Sequence, residues 1–173
     1  MSTRTEPVPL ADVIEAIRTT PEAGRLTLAV TGELLEGVRC RAEVRGHELA
    51  MDEPFGLGGT DTGANPVETV LAALGACQAI TYRVWATLMD IPLDAVRFET
   101  EGEIDLAGFL GLRQDVRPGL SSVWHRVVLI GPESEQRYRE LADAVDRHCP
   151  VLDIVAHGVT VERRLEVRVA ETA

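Results

Sequence analysis

The densest run of apolar positions in the chain predicts one long buried helix over residues 65–90. Asn65 is a good N-cap residue, Pro66 is tolerated at the first helical position, and Glu68 lies where a capping-box carboxylate reaches back. The predicted helix ends before Pro92, because the residue preceding a proline is disfavoured in the helical conformation. A helix that is apolar on most sides must be wrapped by other elements. Its apolar residues are Val67, Val70, Leu71, Leu74, Cys77, Ile80, Val84, Trp85 and Leu88.

Other segments alternate apolar and polar residues with the period of two that predicts half-buried strands. Spacing of three and four residues predicts two further helices, a short one from Leu10 to Ile17 and another over residues 133–148, ended by Pro150. Strands in groups, interrupted by helices, indicate an α+β fold rather than a doubly wound parallel sheet. The predicted strands cover residues 26–31, 38–45, 47–51, 96–104, 122–130 and 159–169.

Length and charge bound the domain organisation and the partners. The 173 residues fit one domain over residues 25–173, preceded by an extension of residues 1–24 that carries the short helix. A formal net charge of −11 argues against a nucleic-acid or acidic-membrane partner, since both require clustered cations. The sequence predicts neither a signal peptide nor a membrane span, and we expect a cytoplasmic protein.

The three cysteines, Cys40, Cys77 and Cys149, form an odd set without C-x-x-C spacing. This is a poor match for a disulfide framework or a zinc ribbon. Cys40 falls on the apolar face of a predicted strand, as a small core residue does. Cys77 and Cys149 each continue an apolar helical stripe, so the residues alone favour two buried structural thiols. Of the histidines, only His148 adjoins a cysteine, and no motif supports a zinc site with Cys77 and Cys149.

Two sequence motifs favour a functional rather than a structural role for Cys77 and Cys149. The stretch GGTDTGANPVETVLAALGAC, followed later by HCPVLDIV, resembles the OsmC/Ohr family of thiol-dependent hydroperoxide reductases, and especially its broader OsmC-like branch. The resemblance runs from about Gly46 to Val161, and the first 24 residues lie outside it.

The resemblance implies an OsmC-like α+β fold, with antiparallel sheets wrapped round two central helices in an intertwined homodimer. It implies a cysteine-based peroxidase with peroxiredoxin-type chemistry, in which Cys77 is the peroxidatic cysteine and Cys149 the resolving one. The implied partners are a small-molecule organic hydroperoxide and a dithiol reductant, and neither a metal nor an organic cofactor is needed. Such an enzyme would serve in oxidative-stress defence.

The chain also departs from the peroxidase pattern. Where the family's peroxidases have a glutamate directly after Asn-Pro, this chain has Val67, and Glu68 follows one residue later, about 100° round the helix. We expect Glu68 to be a capping residue. The family's arginine comes from the turn after the first strand, where this chain has Leu35-Glu36; Arg39 is the nearest cation.

Alternatives to the peroxidase remain open. One is an OsmC-fold dimer that binds a small apolar ligand with its cysteines merely packed, and another is a cysteine hydrolase, which needs a histidine near Cys77. The apolar loop from Phe109 to Leu112 could face a substrate or a subunit interface. Cys149 is predicted at the end of a helix, where unpaired carbonyl groups raise a thiol pKa and keep it protonated.

Overall fold

The computed structural model describes residues 8–169, and the chain forms two compact units, one ending at Ala64 and the other beginning at Asn65. Residues 1–7 of the predicted extension and residues 170–173 lie outside the described part. No helix in the part described is long and apolar enough to cross a membrane.

The first unit begins with the predicted amphipathic helix. Helix α1 spans Leu10–Thr19, and a single 3-10 turn, Pro21–Gly24, follows it. Proline is favoured at the first position of such a turn because its missing N–H would be unpaired there anyway. The prediction of a short helix before Thr20-Pro21 is confirmed.

Three antiparallel strands follow, β1 Thr31–Leu34, β2 Cys40–Val44 and β3 His47–Met51. Arg45 and Gly46 both have positive φ, 51° and 83°, which is the geometry of a two-residue hairpin turn between β2 and β3. Ala42 is buried on β2, while Cys40 beside it is half-buried. The predicted strand over residues 26–31 forms only at its last residue, because nothing in the part described pairs with residues 26–30, and Leu28 is 86% exposed.

A buried carboxylate organises the loop that ends the first unit. Asp52 is 2% exposed and accepts hydrogen bonds from the backbone amides of Glu53, Thr60 and Thr62 at 2.9, 3.0 and 3.2 Å. The hydroxyl groups of Thr60 and Thr62 donate two more, at 2.6 and 3.0 Å. Hydrogen bonding, led by the Thr60 hydroxyl, outweighs burial and lowers the pKa of Asp52 well below its usual range. The loop is therefore held by one charge rather than by an apolar core.

The second unit is built on the long helix α2, Pro66–Leu88. Its predicted start is confirmed, because the Asn65 side chain accepts from the Glu68 amide and the Glu68 carboxylate accepts from the Asn65 amide, each at 2.8 Å. Strands β4 Ala95–Glu103 and β5 Ser122–Ile130 form an antiparallel pair that packs on α2 through β4. The remaining helices are α3 Leu106–Phe109, α4 Glu135–His148 and α5 Pro150–His157.

Helix α2 buries one side only. The core of the unit lies where α2 and α4 meet the strands and contains Tyr82, Leu141 and Val145. An adjoining side of α2 is apolar but open, with Val70 45%, Ile80 65% and Leu88 45% exposed. The prediction of an apolar surface round most of the helix holds, but this unit covers only part of it. The buried residues of α2 are Leu74, Gly75, Gln78, Thr81, Tyr82 and Ala86.

Predictions for the end of the chain had mixed outcomes. The predicted end of α4 before Pro150 is confirmed, because α4 ends at His148, but the second helix that begins at Pro150, where proline is tolerated, was not predicted. The strand predicted over residues 159–169 is not formed, and Val161, Leu165 and Val169 are 84%, 72% and 89% exposed. Alternation predicts which side of a segment is apolar, but a strand also needs a partner for its backbone hydrogen bonds. Neither sheet extends to this segment. The short α3 was also missed within a predicted loop.

We predict that Asp52→Asn lowers the melting temperature at neutral pH. In this variant the melting temperature should also fall less between pH 7 and pH 3 than it does in the wild-type protein. A carboxylate whose pKa is lowered by folding stabilises the fold above its unfolded pKa, about 4, and this contribution is lost as the pH falls further. An amide presents an N–H₂ group to donors that need an acceptor. Thermal unfolding between pH 7 and pH 3 measures both effects.

The matched control is Asp61→Asn in the same loop. Asp61 is exposed and has φ 56°, a conformation that asparagine also tolerates. It should change neither the melting temperature nor the acid profile. Equal behaviour of the two variants would contradict the role of Asp52.

We also predict that Gly75→Ala is destabilising by about 1–2 kcal/mol, although alanine is the better helix former. A Cβ atom on Gly75 would lie 2.2 Å from the Phe98 ring, so the ring must move. In a Phe98→Ala background the sign should reverse, to a gain of up to about 1 kcal/mol from helix propensity. Denaturant unfolding of the four variants of this cycle tests it, and an additive result would show that the ring does not limit the approach of β4 to α2.

Candidate active site

Cys77 lies near the middle of α2, at the boundary between its buried and open sides. The thiol is half-buried. The hydroxyl of Thr81 donates to the Cys77 carbonyl oxygen at 2.8 Å, one turn along the same helix. The neighbouring Gln78 points into the core and is 3% exposed, whereas Ile80 is 65% exposed. The Cys77 side chain is thus partly packed within the unit and partly open to solvent.

Cys149 is the single residue between α4 and α5. Its N–H donates to the Val145 carbonyl at 2.9 Å and ends α4, while its own carbonyl accepts from the Asp153 N–H at 3.0 Å and begins α5. Its backbone is extended, with φ −80° and ψ 114°. The side chain is 2% exposed. The chain turns at this residue without a loop, and the turn buries the thiol.

The structure brings the Cys77 and Cys149 thiols together, although 72 positions separate them (149 − 77). Burial raises the pKa of the Cys149 thiol, and its interaction with Cys77 raises it further. The backbone amides of Val151 and Leu152, in the first turn of α5, oppose this effect because they face the sulfur. All three cysteines are free thiols in this structure. A protonated, buried thiol beside a reachable one is a suitable pair for reversible disulfide formation.

This arrangement corrects the expected cause of the Cys149 pKa. The carbonyl groups at the end of α4 were predicted to raise it, but burial is the largest contribution, and the start of a second helix adds amides that lower it. The signal for these amides was in the sequence, since Pro150 followed by Val151 and Leu152 fits a helix start as well as a helix end.

A hydrogen bond links the helices that carry the two thiols. The Gln78 amide donates to the Asp146 carboxylate at 3.4 Å, and these residues lie one position from Cys77 and three positions from Cys149. A buried amide left without a partner would cost free energy, so this contact favours one register between α2 and α4. Sequence patterns gave no sign of it, because Gln78 interrupts an apolar stripe.

The described histidines make no hydrogen bond to Cys77. The His148 ring stacks on Trp85 with centroids 4.1 Å apart, and its Nδ1 donates to the Ala144 carbonyl at 2.7 Å. The Nδ1 of His125 lies 2.8 Å from the Thr100 hydroxyl, and burial lowers the pKa of this histidine. The cysteine hydrolase, which requires a histidine beside Cys77, therefore gains no support from these contacts. Among the described residues there is also no cluster of His, Cys, Asp and Glu that could hold a metal ion.

The two residues considered for activating Cys77 have different outcomes. Glu68 is engaged in the capping box, as predicted. Arg39 belongs to the first unit, where its Nε is buried and has no hydrogen-bond partner among the described residues. Its role at Cys77 stays a prediction.

An open cleft of about 480 Å³ lies along the start of α2. Val67 and Val70 of α2, Leu120 before β5 and Val155 of α5 supply most of its apolar wall, and Arg117 supplies a cation. Val70 is seven residues before Cys77, which places the two on nearly the same side of the helix about 10 Å apart. The loop predicted to offer an apolar surface is at the protein surface instead, with Phe109 65% and Leu112 74% exposed, and it is not part of this cleft.

Comparisons with known proteins agree on one fold. An OsmC-like protein from Mycoplasma pneumoniae superposes with a TM-score of 0.67 at 20% identity, covering 76% of this chain and 89% of that one. An organic hydroperoxide resistance protein OsmC from Legionella pneumophila gives 0.60 at 18%, covering 78% and 93%. An OsmC-like protein of unknown function from Vibrio cholerae gives 0.58 at 11%, covering 75% and 93%. No curated protein matches significantly.

The family model described as OsmC-like protein matches residues 59–164, a range that holds α2, both strands of the second unit and both cysteines of the thiol pair. With this match over more than half of its length, the chain belongs to the OsmC-like protein family.

Proposed function

We propose that this protein is a thiol-dependent reductase of organic hydroperoxides, with Cys77 as the peroxidatic cysteine and Cys149 as the resolving cysteine. The observation that carries the proposal is the contact between a half-buried thiol on α2 and a buried, protonated thiol at the α4–α5 junction. The Legionella relative's description as an organic hydroperoxide resistance protein supports the same chemistry.

The reaction proceeds in two steps. The Cys77 thiolate attacks the terminal peroxide oxygen, the O–O bond breaks, and the alkoxide takes a proton to leave as an alcohol while Cys77 becomes a sulfenic acid. The Cys149 sulfur then attacks the sulfenic sulfur, a disulfide forms, and water leaves with the Cys149 proton. A dithiol reductant restores both thiols. A compartment that supplies such a reductant, the cytoplasm, suits this cycle.

The order of the two steps follows from the surroundings of each sulfur. The thiolate is the reactive form of cysteine, and the raised pKa of Cys149 disfavours its thiolate. Its 2% exposure also withholds it from dissolved peroxide. Cys149 thus stays a thiol until a sulfenic acid forms beside it, and Cys77 meets the peroxide first.

The apolar cleft supports an organic rather than an inorganic peroxide. Val67, Val70 and Val155 offer contact to a hydrocarbon group about two to three helical turns from Cys77. The same cleft favours a second candidate function, the binding of a small apolar ligand without peroxide chemistry. Reaction of the thiols with peroxide separates the two.

We further propose that the protein is a homodimer in which a second copy covers the open side of α2. Monomeric proteins rarely leave a contiguous apolar face in water. Besides α2, residues 26–30 and 159–169 present exposed apolar residues that have no strand partner within residues 8–169, as segments that pair between subunits do. Two intertwined chains would bury all three.

We predict that Cys77→Ser abolishes hydroperoxide consumption, while Cys149→Ser reacts once and stops. In the second variant the sulfenic acid has no resolving thiol, so its intact mass rises by one oxygen atom and a dimedone-type probe labels Cys77. Stoichiometric cumene hydroperoxide, added to each reduced variant and followed by intact mass, measures this.

The matched control is Cys40→Ser, which removes the third cysteine and should leave turnover unchanged. If Cys77→Ser and Cys149→Ser are oxidised equally and slowly, Cys77 has no special reactivity. The peroxidase would then be abandoned for the ligand-binding function.

For the dimer, we predict that Ile80→Asp shifts the equilibrium towards monomer by at least about tenfold, since burying an unpaired carboxylate in an apolar interface costs more than 1.4 kcal/mol. Light scattering across a dilution series measures the change. Arg139→Asp on α4 is the control and should stay dimeric, since Arg139 is exposed and, among residues 8–169, pairs with Glu135 of its own helix. A monomeric wild-type protein at micromolar concentration would refute the dimer.

A further inference from the structure

The two sulfurs of the candidate site differ in how a reductant can reach them. Cys77 is half-buried on α2, and the proposed reaction requires that a hydroperoxide reaches its sulfur. Cys149 is 2% exposed and lies between two helices, next to the fully buried Val145. This difference decides how the disulfide is opened.

Thiol–disulfide exchange has a strict geometry. The attacking thiolate approaches along the extension of the S–S bond, on the side opposite the sulfur that leaves, and the rate depends on access and on the stability of the leaving thiolate. Attack on Cys149 would have to come through the packed side of that residue. Attack on Cys77 can use the access that a hydroperoxide needs to reach the same sulfur.

A thiolate that leaves at Cys149 is also stabilised by backbone amides. The amides of Val151 and Leu152 face its sulfur, and the first-turn amides of a helix have no backbone acceptor of their own. Cys77 has no such amides, because it lies about three turns into α2, where each N–H is used within the helix. Once Cys77 is held in a mixed disulfide it is uncharged, and its effect on the Cys149 thiolate is removed.

We propose, building on the function above, that the dithiol reductant attacks the Cys77 sulfur and that Cys149 is the leaving thiolate, received by the amides at the start of α5. The mixed disulfide therefore forms on Cys77.

The electrons and bonds of this step balance. One reductant thiolate forms a bond to Cys77 while the Cys77–Cys149 bond breaks, and Cys149 departs with the electron pair and then takes a proton. The second reductant thiolate attacks the reductant's own sulfur in the mixed disulfide and releases the Cys77 thiolate. The reductant leaves as a disulfide. It has lost two electrons, and the two protein sulfurs have gained them.

The test traps the intermediate in the full-length wild-type protein. Diamide, which oxidises thiols without peroxide, forms the Cys77–Cys149 disulfide, and light N-ethylmaleimide then blocks Cys40. A brief pulse of 2-mercaptoethanol, which lacks a second thiol, opens the disulfide, and heavy N-ethylmaleimide labels the sulfur that is released. Peptide mass mapping then gives the position of each group.

We expect mercaptoethanol on Cys77 and the heavy label on Cys149, in at least about tenfold excess over the reverse, given that access and leaving-group stability act together. An equal distribution, or mercaptoethanol mainly on Cys149, would overturn the inference, as would failure of diamide to join the two cysteines. The result is independent of peroxide reactivity: mercaptoethanol on Cys77 in a protein that consumes no hydroperoxide would refute the proposed function and leave the direction of exchange intact.

Discussion

The packing of α2 against α4 and β4 is the constraint on which the second unit depends. The stripe from Leu74 to Ala86 fixes which side of α2 faces inward, and Gly75 allows the Phe98 ring to approach the helix backbone. With this orientation set, Cys77 can only lie at the edge of the packed side. The same packing brings Cys149 close to Cys77, because α4 lies against α2. Leu141 and Val145 of α4 are fully buried, and the Gln78–Asp146 hydrogen bond joins the two helices. The thiol pair is thus a product of helix packing.

Much of the fold was predictable where local chemistry decides the structure. The start of α2 depends on Asn65, Pro66 and Glu68, which are adjacent in sequence, and it was predicted correctly. The strand over residues 122–130 was also correct, because its alternating pattern has a partner in β4 along its whole length. The segment over residues 159–169 failed because a strand is a pairing between segments, and alternation in one segment does not supply its partner.

The candidate site also has features that the sequence predicted and features that it did not. That Cys77 and Cys149 belong together came from a family resemblance, since nothing in their spacing predicts a contact across 72 positions. Their unequal exposure and the amides that face Cys149 depend on the path of α4 into α5, and one ambiguous proline was the only signal for that path. The Gln78–Asp146 contact had no local signal at all, because a polar residue in an apolar stripe can equally mark a helix surface.

The junction at Cys149 also limits how this region can change in length. Helices usually meet through loops of several residues, which tolerate insertions because extra residues bulge into water. Here α4 and α5 share one residue, and its N–H and C=O both serve as helix ends. An inserted residue would rotate α5 by about 100° if it continued the helix, which would turn Val155 away from the cleft that it lines with Val67 and Val70 of α2. Length variation in this protein is therefore confined to other segments, such as the exposed stretch between β4 and β5, and the spacing from α4 to α5 is fixed by the backbone itself.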